Sequence, residues 1–279
     1  MKEKIIIESI EEGLEKYKYY DSYKYNMDYL IDQLENIEKR FRAQEEAFNK
    51  ESDKRETAIF PAYVFYKMQP SIVAPAYNLN QYLTKLNEYT VYYNFGEREK
   101  LKKTEVELNI YVNQIFISIK TLLDRCVSLF TYYIKGVSKD STFGHIKANG
   151  TATGLINKII TIKKKPNDVD KEKEPLLDYI YEQYNEWIRI AVGPRDMIIH
   201  YNDFYTKYQH PIDGRIFPVH LEIRTFDDPY IDGEYVEPCD YNYKILYQKI
   251  HQLYEFFFTI TATLSHPAYK ISLSKMHYI

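Results

Sequence analysis

Residues 104–135, TEVELNIYVNQIFISIKTLLDRCVSLFTYYIK, place Leu108, Val112, Ile115, Ile119, Leu122, Cys126, Leu129 and Tyr133 at alternating steps of four and three. That interval tracks the 3.6-residue turn, so the stretch reads as a long helix with one face turned to a core. The same rhythm recurs downstream. Residues 174–192 carry Leu177, Ile180, Tyr184, Trp187 and Ala191 before Gly193-Pro194, and residues 241–264 carry Tyr243, Leu246, Ile250, Leu253, Phe257, Ile260 and Leu264. A shorter helix is expected over 152–164, closed by Pro166. Three long helices with matching apolar seams and one short helix predict an all-α, mainly helical protein built as an antiparallel bundle.

Upstream, residues 2–20 and 22–53 show helical spacing in Ile6, Ile10, Leu14 and Tyr17 and again in Met27, Leu30, Leu34, Ile37 and Phe41, with Asp21 and Ser22 as caps between them. Pro61, Pro70 and Pro75 predict an irregular connector over 57–77, followed by a weaker helix over 78–92. Residues 1–95 are therefore expected to form an N-terminal helical extension and 96–279 the bundle. Pro194 suits the first turn of a short helix over 195–204. Between 206 and 238 the pattern changes to alternation, with Ile216, Val219, Leu221 and Ile223 as strand residues and Asp213-Gly214 and Asp232-Gly233 as turns, which predicts a small β-hairpin insertion.

The chain has 279 residues, enough for a large core without staples, and 40 acidic against 37 basic side chains give a net charge of −3. No global field draws in a polyanion, so any phosphate contact has to be local. Cys126 and Cys239 lie far apart without C-x-x-C spacing, which argues against a thiolate metal centre. No stretch approaches the ~18 apolar residues of a membrane span, and the start is too short for a signal-peptide core, so a cytoplasmic protein is expected. Walker, dinucleotide-binding, H-E-x-x-H and G-x-S-x-G motifs are absent from the sequence. Glu182 and Glu186 stand at i, i+4 without a Glu-x-x-His partner and read as a solvated face.

One segment carries chemistry: Gly193-Pro194-Arg195-Asp196-Met197-Ile198-Ile199-His200-Tyr201-Asn202. On a helix Asp196 and His200 are about 40° apart, close enough for the carboxylate to set the imidazole tautomer. Arg195 lies about 140° round from His200 and ~7.5 Å along the axis, so the two flank a site. Cleavage at an RNA phosphodiester needs a group that moves a proton at a sugar oxygen and a cation that holds the charge growing on phosphorus. His200 suits the first role near neutral pH and the Arg195 guanidinium the second, with no metal or other cofactor required. On spacing alone the same residues also read as packing groups, an Arg paired to a carboxylate and a His satisfied in a core.

The arrangement resembles the HEPN superfamily (higher eukaryotes and prokaryotes nucleotide-binding). Its members are helical bundles with an R-x(4–6)-H motif at the start of a late core helix. Arg195, Asp196 and His200 match that motif, and the helix from Thr104, the Phe143-Gly144 loop with its short helix, and the helix from Glu174 match the order of elements before it. The resemblance implies a homodimer whose two motifs form one cleft and cut RNA without metal to a 2′,3′-cyclic phosphate. It further implies a toxin or antiviral nuclease, with an antitoxin or regulatory protein as partner. Under it His200 is the general acid or base, Arg195 the phosphate clamp and Asp196 the orienting residue. Tyr201, Asn202, His145, Lys163 and Lys164 are the candidate substrate contacts, joined by the basic run Arg98, Lys100, Lys102 and Lys103. A toxin subset carries R-x-x-x-x-H-x-Y, where this chain has Asn202. Some family members keep the fold and only bind nucleotide, RNA or protein, which is the alternative reading.

Overall fold

The computed structural model describes residues 7–51, 60–134, 136–138, 141–146, 149–164, 174–192, 203–207, 220–224, 230–231, 234–235 and 242–269. Helix α1 (Ile10–Lys16) and a 3-10 turn (Tyr19–Tyr23) lead into α2 (Met27–Glu51), α3 (Pro61–Phe95) and α4 (Arg98–Phe130). These are followed by α5 (Gly154–Lys163), α6 (Glu174–Gln183), a π-helical turn (Tyr184–Ile188), α7 (Arg189–Val192) and α8 (Tyr243–Leu264). The result is an all-α bundle. Two short antiparallel pairs, β1 (Asp203–Lys207) with β2 (His220–Arg224) and β3 (Tyr230–Ile231) with β4 (Glu234–Tyr235), make up the small β element. Asp203 and Phe204 thus begin a strand, where the sequence pattern extends the preceding helix to 204.

From Pro61 onward the expected connector is a helix. Helix α3 runs unbroken for 35 residues, with Pro61 in its first turn and Pro70 and Pro75 inside it. A proline inside a helix removes one N–H and crowds the carbonyl four residues back. Tyr254 of α8 repairs the second site: its hydroxyl donates to Ile72 O at 2.7 Å and accepts from Ala76 N at 3.2 Å. A side chain inserted into the hydrogen-bond ladder in this way lets a helix bend without ending. Tyr254→Phe leaves both backbone groups buried and unpaired, so a loss of about 2–4 kcal/mol is expected. Thermal denaturation checks this as a fall in Tm on the order of 5–15 °C.

Gly96, at φ 73°, ends α3. Its N–H bonds Tyr93 O and the next N–H, of Glu97, bonds Tyr92 O, the paired closure that favours glycine in the left-handed conformation. Helix α4 then returns antiparallel. Lys85 bridges Glu88 at 2.8 Å and Glu107 of α4 at 2.9 Å; burial lowers its pKa, but the two carboxylates outweigh that and raise it to about 12. The seam predicted for 104–135 is buried: Leu108, Val112, Ile115, Leu122 and Leu129 expose nothing, and Cys126 lies among them with its thiol pushed up by burial. One apolar core joins α2, α3, α4, α5, α6 and α8.

The N-terminal segment is less helical than its spacing predicts, because tyrosine packing and asparagine side chains hold it in an irregular path. Asn80 of α3 pairs with both backbone groups of Tyr25, at 2.8 and 2.9 Å, in the manner of a neighbouring strand. Two turns further on, Asn87 accepts from Tyr20 N at 3.2 Å and donates to Asp21 at 2.9 Å. Tyr20 and Tyr23 each meet Tyr243 edge-on with centroids 4.9 Å apart, a preferred aromatic geometry. Part of the tyrosine excess is thus a joint between the N-terminal turn and α8. At the far end of α8, Gln44 of α2 donates to Leu264 O at 2.8 Å and Tyr269 O at 3.1 Å while accepting from Tyr133 OH at 2.6 Å, which ties three segments together.

Candidate active site

Residues 193–202, with Arg195, Asp196, His200, Tyr201 and Asn202, lie outside the described residues. The helix that leads to them is described as far as Val192. It starts regularly as α6, then widens into the π-helical turn Tyr184–Ile188 and resumes as α7. Trp187 Nε1 donates to Gln183 Oε1 at 2.8 Å across that turn, and Tyr184, Trp187, Ile188 and Ala191 are buried. π-helical turns are uncommon and frequently mark functional sites. This one aims the Tyr184 hydroxyl out of the helix, where it accepts from Ile146 N at 2.7 Å.

Ile146 belongs to the loop that carries His145. Asp124 of α4 holds the near side of this loop, accepting from Phe143 N at 2.8 Å while paired with Lys120 at 2.7 Å. The two strands of the loop touch at a glycine neck. Gly144 has φ 84° and Gly154 φ 57°; a Cβ on Gly144 would stand 2.0 Å from Thr153 O, and one on Gly154 would stand 2.4 Å from Thr142 O. No side chain fits there. Across the neck His145 N donates to Thr153 Oγ1 at 3.1 Å, Thr153 N donates to His145 O at 2.9 Å, and the His145 ring nitrogen Nδ1 lies 3.3 Å from Thr153 Oγ1. His145 is exposed, on a loop fixed by residues from α4 and from the π-helical turn. Phe143, buried, meets Phe256 of α8 edge-on at 6.0 Å and anchors the base of the loop.

Lys163 and Lys164 stand at the opposite end of α5, nine and ten residues from Gly154, a span of about 13–15 Å along the axis. The structure therefore does not gather them with His145. Lys163 pairs with Asp178 of α6 at 2.5 Å and lies over the Tyr181 ring at 5.1 Å, so its ammonium joins α5 to α6. Lys164 is exposed at the C-cap of α5. In the basic run before α4, Lys100 pairs with Glu97 at 3.7 Å and covers Tyr92 at 5.4 Å, while Lys102 and Lys103 are exposed. Glu182 and Glu186 face solvent, with Glu186 accepting from Gln183 at 2.9 Å.

Among the described residues a cleft of about 220 Å³ lies between the N-terminal segment and α3, away from the His145 loop. Three of its charged or amide groups are engaged: Asn87 with Asp21, Lys24 with Asp21 at 2.9 Å, and Glu88 with Lys85. No group of three or more His, Cys, Asp or Glu that could hold a metal ion is assembled among the described residues, and no helix there is long and apolar enough to cross a membrane.

The Arg195–His200 segment is legible from its spacing and His145 from its place in a glycine loop, whereas Asp124 and Tyr184, which fix that loop, carry the pattern of ordinary helix residues. The one available signal was Asp124, an acid set between the core positions Leu123 and Cys126. No protein-family model, curated protein or solved structure matches this chain.

Proposed function

We propose that the chain is a metal-independent endoribonuclease acting in the cytoplasm, with the Arg195–Asp196–His200 segment as its centre. The observation that carries this reading is the motif itself: a guanidinium, an acid and an imidazole within six residues of sequence, directly after Pro194. The fixed loop that presents His145 beside the preceding helix supports it.

In the reaction the 2′-hydroxyl oxygen attacks the adjacent phosphorus and the P–O5′ bond breaks. The proton leaving the 2′-oxygen passes to a base, and a proton is delivered to the departing 5′-oxygen. The products are a 2′,3′-cyclic phosphate and a 5′-hydroxyl. His200 serves one of the proton transfers, Asp196 sets its tautomer, and Arg195 neutralises the charge on the non-bridging oxygens. Tyr201, Asn202 and His145 contact the RNA, and Lys163 and Lys164 supply salt-sensitive backbone contacts once Lys163 exchanges Asp178 for phosphate. Two copies form the cleft on this reading, and the biological role is that of a toxin or antiviral nuclease restrained by a partner protein.

Incubation of the purified chain with total RNA in EDTA, with product ends mapped, tests the proposal. Fragments ending in cyclic phosphate are expected. Intact RNA overturns the nuclease reading and leaves the non-catalytic binding module.

A further inference from the structure

Helix α5 runs antiparallel to α6. Lys163 at its C-terminal end meets Asp178, while the His145 loop at its N-terminal end meets Tyr184, six residues further along the chain. The loop therefore lies at the end of α5 nearer Val192, from which the chain continues into Gly193 and the motif. Between Tyr184 and Val192 the helix axis rises about 12 Å. His145 is thus on the side of the bundle toward the motif but set back from it, a place for a neighbouring nucleotide and not for the bond that is cut.

The His145 ring is held by one hydroxyl. Thr153 Oγ1 lies 3.1 Å from His145 N, 3.3 Å from His145 O and 3.3 Å from the ring Nδ1. A hydroxyl has one proton to give and two lone pairs. It serves all three neighbours at once only by accepting from the backbone N–H, donating to the carbonyl and accepting from an Nδ1–H. The ring proton then sits on Nδ1, and Nε2 is left as an acceptor. Nε2 has no partner among the described residues, and the ring is exposed. Two other histidines are engaged: His251 Nε2 pairs with Glu255 at 3.3 Å, and His266 Nδ1 accepts from Ala268 N at 3.2 Å. The frame round His145 is costly for a side chain that buries nothing. Two glycines at the neck, Asp124, Tyr184 and the Ile146–Ala152 bridge all fix the residue. Rigid support from distant residues is what an aimed contact requires.

We infer that His145 Nε2 accepts a hydrogen bond from the 2′-hydroxyl of an RNA nucleotide flanking the scissile bond. The inference rests on the nuclease reading and adds to it a second point of grip on the substrate. A phosphate offers a bare ring nitrogen only acceptor oxygens, whereas a 2′-hydroxyl has a proton to donate and is the group that separates RNA from DNA. Every nucleotide of RNA carries it, so the contact selects RNA at that position without selecting a base.

Single 2′-deoxy substitutions in a short RNA of mixed sequence, one at each position flanking a mapped cleavage, test this on wild type and on His145→Ala. One flanking substitution is expected to lower wild-type kcat/KM about five- to tenfold, through KM, the size of one hydrogen bond. His145→Ala is expected to lose a similar factor on the unsubstituted RNA, with kcat and the circular dichroism spectrum unchanged, and to lose nothing more on that 2′-deoxy RNA. Wild-type kinetics for His145→Ala overturn the inference and leave the nuclease reading standing. So does a 2′-deoxy penalty that is the same in both chains at every position, or a loss that falls on kcat alone. A wild-type chain that cleaves no RNA fails the nuclease reading first. The same comparison is then made on binding, by fluorescence anisotropy, and equal affinity of wild type and His145→Ala for the unsubstituted RNA overturns the contact as well.

Discussion

RNA that the wild-type chain cleaves in EDTA is expected to stay intact over the same period with His200→Ala, a rate loss of roughly 10³-fold. A positioned acid or base contributes typically 10²–10⁴ to such a reaction, and no other imidazole occurs in the motif. Arg195→Ala is expected to cost a similar factor, because the charge on phosphorus grows in the transition state and a preorganised cation acts on that growth. Arg195→Lys keeps the charge but loses the planar two-point contact, so it is expected to recover only part of the rate. Exogenous imidazole is expected to restore some cleavage to His200→Ala and none to Arg195→Ala. A His200→Ala chain that cleaves at the wild-type rate removes His200 from the mechanism. Melting curves that superimpose on wild type keep the comparison free of folding effects.

Gly144→Ala is expected to destabilise the fold by about 4 kcal/mol or more, the range reached only when a substitution breaks a specific structural device. Two costs combine. At φ 84° any side chain is strained, and here the added carbon would stand 2.0 Å from the Thr153 carbonyl oxygen and 2.6 Å from its carbon. Backbone cannot swing aside as a side-chain tip can, so the neck opens and the His145–Thr153 hydrogen bonds break with it. Gly150 provides the control: its φ is 77°, but nothing lies within 4 Å of the position its Cβ would take. Gly150→Ala therefore isolates the conformational strain and is expected to cost about 1 kcal/mol. Denaturant titration of the two variants separates the terms, and equal destabilisation would show that the neck is not a close contact. On the nuclease reading Gly144→Ala also lowers cleavage, since His145 loses its fixed position.

The bundle was legible where apolar spacing is undisturbed. Helix α4 shows this best, since residues from Leu108 to Leu129 recur at three and four and are buried as that rhythm requires. Helices α5 and α8 begin and end within a few residues of their expected bounds for the same reason. Helix α3 was misread because Pro70 and Pro75 are local signals for a break, whereas Tyr254, which overrides the second of them, is 178 residues beyond Ala76. The N-terminal segment departs in the opposite direction: Ile10 and Leu14 fall in α1 as their spacing predicts, but the helix stops at Lys16, and beyond it Asn80 and Asn87 offer the backbone of 20–25 other partners. At the candidate site, the motif residues could be picked out by chemistry and spacing, since both are properties of neighbours in the chain. The supports of the His145 loop could not, because Asp124 and Tyr184 reach it from 19 and 38 residues away.

The Tyr254 bridge also sets an order of events. During synthesis α3 leaves the ribosome while α8 has yet to be made, and Ile72 and Ala76 then lack the hydroxyl that joins them across Pro75. Until then the helix is expected to be weakest at Pro75, where its own ladder is interrupted. Only when residue 254 arrives can the bridge form within the 35-residue helix. Completion of the N-terminal half is thus expected to wait for the far end of the chain, which makes its folding late and leaves its apolar helices open to other binders during translation.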